Sequence, residues 1–350
     1  MSIEVKDYGI TSDGQQVKQY VMVNKQGMKA VLLNYGAVVT ELHVPDGKDG
    51  LVDVVWGYES IAGYEVNTPG FGSAIGRNAN RIGKAQAEIA GKVYELQKND
   101  GENNLHGGNP GYNRRMWKGV IADDNKVEFS IKSPDGDQGF PGNAEVKISY
   151  TLTDDNELRI GYEASADQDT IFNLTNHSYF NLDGQESDNV LEHQVWIDAD
   201  AFTPTDDGLI PTGEIRKVEG TPMDFREFHA LGERIEADYE PLKQAGGYDH
   251  NYVLNNEGDY ALCCRLKSVK TGIVMEVYTD LPGMQLYCAN FLDREAGGKN
   301  GRVYGKRSAV CFESQYFPDA VHHENFKSSI FRAGDKYRSM TGYKFTVGNE

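Results

Sequence analysis

The chain has 350 residues, with 35 Lys and Arg against 53 Asp and Glu, a formal net charge of −18. That length admits two domains or one large all-β unit, and it can bury a sizeable core without disulfide or metal staples. A quarter of the residues are charged and 39% are hydrophobic, the balance of a folded globular protein. The acidic excess disfavours nucleic acid, anionic membranes and sugar phosphates as partners, and leaves neutral small molecules favoured.

In chain order, Met1 to Gly9 has no basic start followed by an apolar stretch, so no secretory signal is expected. No apolar run approaches the roughly 18 residues of a membrane helix. Tight turns are expected at Asp46-Gly47, Asp100-Gly101, Asp135-Gly136, Asp183-Gly184, Asp207-Gly208 and Asn300-Gly301, pairs that supply positive φ. Short helices are expected near Glu59–Tyr64 and Phe228–Ile235. Alternating apolar and polar residues predict strands over Val146–Leu152, Leu158–Ala164, Val195–Ala199 and Ile273–Thr279. No composition break or repeat stands out. The expectation is one continuous antiparallel all-β domain over 1–350. The four cysteines are 263, 264, 288 and 311. Cys263 and Cys264 would point to opposite faces of a strand, so reduced thiols in a cytoplasmic protein are the simplest reading. The sequons at Asn173 and Asn176 then count as accidental.

Six polar-aromatic clusters interrupt the strands: 76–82 (GRNANRI), 103–108 (NNLHGG), 173–182 (NLTNHSYFNL), 246–252 (GGYDHNY), 284–291 (MQLYCANF) and 312–319 (FESQYFPD). They combine Asn, Gln, Arg, His, Asp and Glu with aromatic rings. A neutral sugar demands that mixture: donors and acceptors for hydroxyls, and apolar faces for ring C–H groups. Each cluster also has a plainer reading. His106 and His177 could satisfy loop backbone. Glu313 could be a solvated carboxylate, Asp249 a turn residue, and Arg77 and Arg81 an exposed pair on one helix face. His322-His323 is a poor metal pair because adjacent residues rarely ligate one ion. HExxH, paired CxxC, GxSxG and glycine-rich phosphate loops are absent.

At these clusters the chain resembles the aldose 1-epimerase (galactose mutarotase) family. The carrying motifs are GRNANRI at 76–82, NNLHGG at 103–108, DGDQGFPGN at 135–143, NHSYFNL at 176–182, GYDHNYVL at 247–254 and FESQYFPDA at 312–320. They stand in the family's order. The resemblance implies a large antiparallel β-sandwich of the galactose-mutarotase type, with an open cleft on one sheet. It implies exchange of the α and β anomers of free hexoses such as galactose and glucose, feeding hexose metabolism, with no cofactor and no metal. Glu313 corresponds to the general base and His177 to the general acid. Asn80, Arg81, His106, Asp249 and Gln285 correspond to sugar-binding positions. The expected partner is a small aldose, with the protein a monomer or weak homodimer. Cys288-Ala289 and His322-His323-Glu324 depart from the family pattern and leave rim contacts open.

On this reading an ionised Glu313 removes the C1 hydroxyl proton and His177, with an ordinary pKa of about 6.5, protonates the ring oxygen. Activity is expected to fall at acid pH as Glu313 protonates and at alkaline pH as His177 deprotonates. Three other readings stay open: a glycosidase using Glu313 and Asp249, a non-catalytic sugar-binding module, and an epimerase of hexose 6-phosphates.

Overall fold

A computed structural model describes residues 2–48 and 50–348. Three antiparallel sheets dominate it. The first is a five-stranded meander in chain order: Ser2–Ile10, Gln16–Val23, Lys29–Leu33, Val39–Pro45 and Leu51–Asp53. The second has nine strands, in the order Lys118–Asp123, Lys126–Ser133, Ala144–Leu152, Glu157–Ala166, Tyr337–Val347, Ile273–Thr279, Ala261–Lys267, Gln194–Ile197 and His229–Ala230. The third is the site sheet: Arg216–Lys217, Ala199–Thr203, Asp249–Leu254, Gly283–Tyr287 and Cys311–Gln315.

The strand expectations hold, with one informative difference. Ala144–Leu152 alternates buried and more exposed positions, as a half-buried strand must. The run Val195–Ala199 does not stay in one sheet. Gln194–Ile197 pairs with Ala261–Lys267 in the nine-stranded sheet, whereas Ala199–Thr203 pairs with Asp249–Leu254 in the site sheet. Asp198 is the corner: its N–H donates to Cys263 O (2.8 Å) and its carbonyl accepts from Asn255 N (3.1 Å). A strand that changes sheet in this way ties the two layers together.

Helices are few and short: Ile61–Val66 and Leu231–Arg234 near the expected places, and Glu240–Gln244, which apolar periodicity did not reveal. No helix among the described residues is long and apolar enough to cross a membrane. Gly47 has positive φ in the turn between Val39–Pro45 and Leu51–Asp53, as the Asp-Gly pair demands. At Asp207-Gly208 the left-handed residue is instead Leu209 (φ 59°), because the Asp206 carboxylate turns the chain through the N–H groups of Gly208 and Ile210.

The inner faces of all three sheets share one apolar cluster, which runs from Tyr20 and Leu32 through Phe129 and Ile148 to Tyr252, Leu286 and Phe312. The nine-stranded sheet grips the back of the site sheet through Tyr343, whose hydroxyl donates to Phe312 O at 3.0 Å. Ser314 and Thr341 add a hydroxyl pair beside it. The site strands therefore rest on a rigid layer, and Phe312 and Ser314 face away from the chemistry.

Candidate active site

Three adjacent strands form the floor of the site. Direct pairing places Asn251 opposite Gln285 and Gln285 opposite Glu313. The next row is Asp249, Tyr287 and Cys311, and the row beyond is Val253, Gly283 and Gln315. Residues opposite each other share a face, so one sheet face carries Asp249, Gln285 and Glu313 together. Asp249 is thus the first residue of a buried strand rather than a turn residue. Gly283 lacks a side chain where one would strike Asn251 Oδ1 and Phe317, and that space admits the amides beside it.

Loops held by short pairings supply the other side chains. Arg81–Ile82 pairs with Asn104–Leu105, which sets Asn80 beside His106. The two are locked reciprocally. His106 N–H donates to Asn80 O (3.1 Å), and Asn80 N–H donates to His106 Nδ1 (3.1 Å). His106 Nδ1 is therefore unprotonated and the ring's hydrogen sits on Nε2. His177 follows the short strand Thr175–Asn176, and residues 72 and 73 pin its backbone from both sides. Its ring stacks on Tyr179 (5.0 Å between centroids, 23°) and meets the His106 ring edge-on (5.3 Å). His177 Nε2 lies 3.5 Å from Glu313 Oε2, a close approach that is not hydrogen-bonded. Glu313 Oε2 is buried and has no hydrogen-bond partner.

The remaining expected residues form a chain of bonds. Asn80 Nδ2 donates to Gln315 Oε1 (3.4 Å), and Gln315 Nε2 donates to Gln285 Oε1 (3.0 Å) and Asn251 Oδ1 (3.1 Å). Gln285 Nε2 donates to Asp249 Oδ1 (2.6 Å). Arg81 Nε donates to Asp100 at 2.8 Å, which leaves the terminal guanidinium nitrogens available. All seven expected positions, Glu313, His177, Asn80, Arg81, His106, Asp249 and Gln285, therefore belong to one cluster.

Burial changes the proton affinities assumed from sequence. Desolvation pushes Glu313 well above the usual carboxylate range. The Asp249 charge adds to the rise and Arg81 opposes it. Desolvation lowers His177 to about 4, and lowers His106 well below its ordinary value, with His177 and Arg81 adding to the effect. Asp249 is also raised by desolvation, against Arg81 and the Gln285 bond. Both shifts favour the uncharged forms, a neutral acid at Glu313 and a neutral ring at His177, against the ionised acid and ordinary histidine expected from sequence.

His106, His177 and Glu313 present potential ligand atoms within 4.8 Å of one another. A metal needs a lone pair on each nitrogen, and His106 Nε2 carries a hydrogen while Nδ1 is occupied by Asn80. The trio therefore suits hydrogen bonding to an organic substrate better than ligation.

One more plain reading is corrected. Arg77 and Arg81 are not an exposed helical pair. Arg77 is buried, with its guanidinium on Pro141 O, Thr170 Oγ1 and Ser133, where it braces the loop leading to Asn80. His322 and His323 lie outside the cluster and hold the Asp319 carboxylate at 2.6 and 3.5 Å. Asp319 in turn fixes Arg81 O and the Gly83 N–H. Sequence reading missed Gln315, Asn251, Asp100 and Cys311. Gln315 and Cys311 stand two residues either side of Glu313, so the period of a strand would have placed them on its face.

The fold and the cluster place titratable groups and open hydrogen-bonding valences on one buried sheet face, an arrangement suited to a small polar molecule. A family model described as "Aldose 1-epimerase" matches residues 18–344. The galactose mutarotase of Mus musculus is 42% identical over 97% of this chain and 96% of its own length. The aldose 1-epimerase of Escherichia coli is 35% identical over 96% of this chain and 97% of its own. Among solved structures, an aldose epimerase homologue from C. elegans superposes with a TM-score of 0.86 at 34% identity, covering 94% of this chain and 98% of that one. The chain belongs to the aldose 1-epimerase family and is an isomerase acting on carbohydrates.

Proposed function

We propose that this protein exchanges the α and β anomers of free aldoses such as galactose and glucose, with residues 1–350 acting as one catalytic domain. The observation that carries the reading is the buried, unpartnered Oε2 of Glu313 beside His177 Nε2. A buried acceptor without a donor is costly, and the C1 hydroxyl of a bound sugar is a donor that would complete it. That bond stabilises the carboxylate, so substrate entry favours the ionised pair, with Glu313 deprotonated and His177 protonated. Glu313 then takes the C1 hydroxyl proton while His177 gives its own to the ring oxygen. The C1–O5 bond breaks to the open aldehyde, C1 turns, and closure on the other face returns both protons. Each positioned group contributes about 10²–10⁴-fold.

The free valences of the rest of the cluster suit sugar hydroxyls. Asp249 keeps an acceptor oxygen beyond its Gln285 bond. His106 Nε2–H, the second Nδ2–H of Asn80, the second Nε2–H of Gln285 and the Arg81 terminal nitrogens are donors. Four buried thiols without disulfides support a reducing compartment, the cytoplasm, as the site of action.

Polarimetry on freshly dissolved α-glucose and α-galactose tests the reading. Glu313→Gln and His177→Asn are expected to lose most turnover while folding normally; near-native rates in either would remove that residue from its role. Release of phenol from an aryl glycoside by the native protein would instead favour glycoside hydrolysis.

A further inference from the structure

Imidazole has two nitrogens, and the reaction uses one. His177 Nε2 faces Glu313 Oε2, while Nδ1 faces the opposite way, 3.6 Å from Cys311 Sγ. That sulfur is the one side-chain hydrogen-bond partner of Nδ1 among the described residues. Cys311 and Glu313 are two apart on the strand Cys311–Gln315 and so project from the same face. A single strand therefore addresses both nitrogens of the ring, with sulfur at one and carboxylate at the other.

Aromatic packing against Tyr179 and His106 fixes the plane of the ring. Packing does not distinguish a ring from the same ring turned by half a revolution about Cβ–Cγ, which puts carbon where each nitrogen had been. Only a polar contact does that; the ring also bonds its own residue's backbone, and the one side-chain contact at Nδ1 is sulfur. Cys311 is buried, and desolvation pushes its thiol pKa well up, so it is a neutral S–H group with a sulfur lone pair to offer.

We propose that Cys311 is a positioning residue for His177, its sulfur accepting the Nδ1–H so that Nε2 alone gains and loses the working proton. The proposal rests on the reading of Glu313 and His177 as the proton-transfer pair. In the resting state Nε2 is then the bare nitrogen, facing the Glu313 carboxyl. When a proton reaches Nε2, the ring becomes imidazolium and Nδ1–H stays on sulfur. When Nε2 delivers it to the ring oxygen, the ring returns to the same neutral tautomer. No bond to sulfur forms or breaks. The opposite neutral tautomer, with Nε2–H and a bare Nδ1, has no lone pair on Nε2 to take a proton from Glu313, and would become an imidazolate anion if it donated.

The test separates the two layers of the argument. In the full-length protein labelled with ¹⁵N-histidine, without sugar, the native His177 is expected to show a protonated Nδ1 and an unprotonated Nε2. Cys311→Ala is expected to mix the tautomers and to lower kcat about tenfold with KM changed less than about twofold, the signature of lost orientation. Cys311→Ser keeps an acceptor and is expected to restore both the single tautomer and most of kcat. A native Nε2–H tautomer would overturn the proposal, as would a Cys311→Ala protein with native tautomer and native kcat. Because the tautomer is read without turnover, it stands or falls separately from the loss of activity in Glu313→Gln and His177→Asn.

Discussion

At the Asn80–Gln315–Gln285–Asp249 side of the pocket, each amide is hydrogen-bonded to its neighbour. A few ångströms away, Glu313 Oε2 is equally buried and bonded to nothing. Both regions are polar groups taken out of water on the same sheet face, and they differ in whether their valences are filled from within. The filled side is rigid and can only position. The unfilled side holds a carboxyl and two imidazoles away from their ordinary proton affinities, and substrate must complete it. Stability is invested on one side and reactivity on the other.

The largest effect should come from filling the open side. Glu313→Gln is expected to lower turnover by about 10²–10⁴-fold while leaving the melting temperature unchanged or raised, because a buried unpaired acid becomes a neutral amide. A clear fall in melting temperature would mean that Glu313 also supports the fold, and the contrast between the two sides would blur. Emptying the filled side should do the opposite. Gln315→Leu removes the donor from Asn251 and Gln285 and the acceptor from Asn80, at a cost of roughly 2–5 kcal/mol of unfolding free energy in urea. KM is expected to rise more than kcat falls.

Acid should expose the cost of burying neutral rings. His106, His177, His193 and His250 all have proton affinities lowered by desolvation, the last three to about 4 against an unfolded value of 6.5. The unfolded chain binds more protons there, so their contribution is complete above about pH 6.5 and erodes as pH falls toward about 4. Each histidine contributes a slope of roughly 1.4 kcal/mol per pH unit in that window. Glu313 runs the other way: its raised affinity stabilises the fold below its unfolded value of 4.5 and is lost as pH rises through the folded value. Urea titrations at pH 7 and pH 5 should show the lower stability at pH 5; equal midpoints would show that these rings are hydrated in solution. For activity, the same shifts move the acid limb down toward about 4 and the alkaline limb up, widening the plateau expected from ordinary values.

The smallest effect belongs at the edge of the filled side. Asp100 orients Arg81 through a part-exposed ion pair of the kind worth about 0.2–1 kcal/mol. Asp100→Asn is therefore expected to raise KM by no more than about fivefold and to leave kcat near native. A large loss of kcat would move Arg81 from binding to chemistry.

Much of this was legible in the chain. Ala144–Leu152 and Glu157–Ala166 announce themselves by alternation, the family motifs held six of the seven residues that the fold gathers, and the seventh, Gln285, came from the cluster at 284–291. Val195–Ala199 was legible as a strand, but the change of sheet was not, because Asp198 reads as one more polar position in an alternating run and carries no sign of a corner. Arg77 was misread because spacing alone cannot say that Ser133, Thr170 and Pro141 wait for its guanidinium. His322 and His323 drew attention as a pair and prove to hold Asp319.

The sequence by itself determined the all-β class and, through motifs that resemble a known family, pointed to Glu313 and His177 as the proposed proton-transfer pair, because alternation, turn pairs and motifs are local properties of the chain. The shifted proton affinities of Glu313 and His177, the tautomer at His106 and the bonds that join Gln315 and Gln285 were decided only by tertiary structure. Those depend on desolvation and on donors contributed by residues up to 235 positions away, as for Asn80 and Gln315, and neither is written in the order of neighbours along the chain.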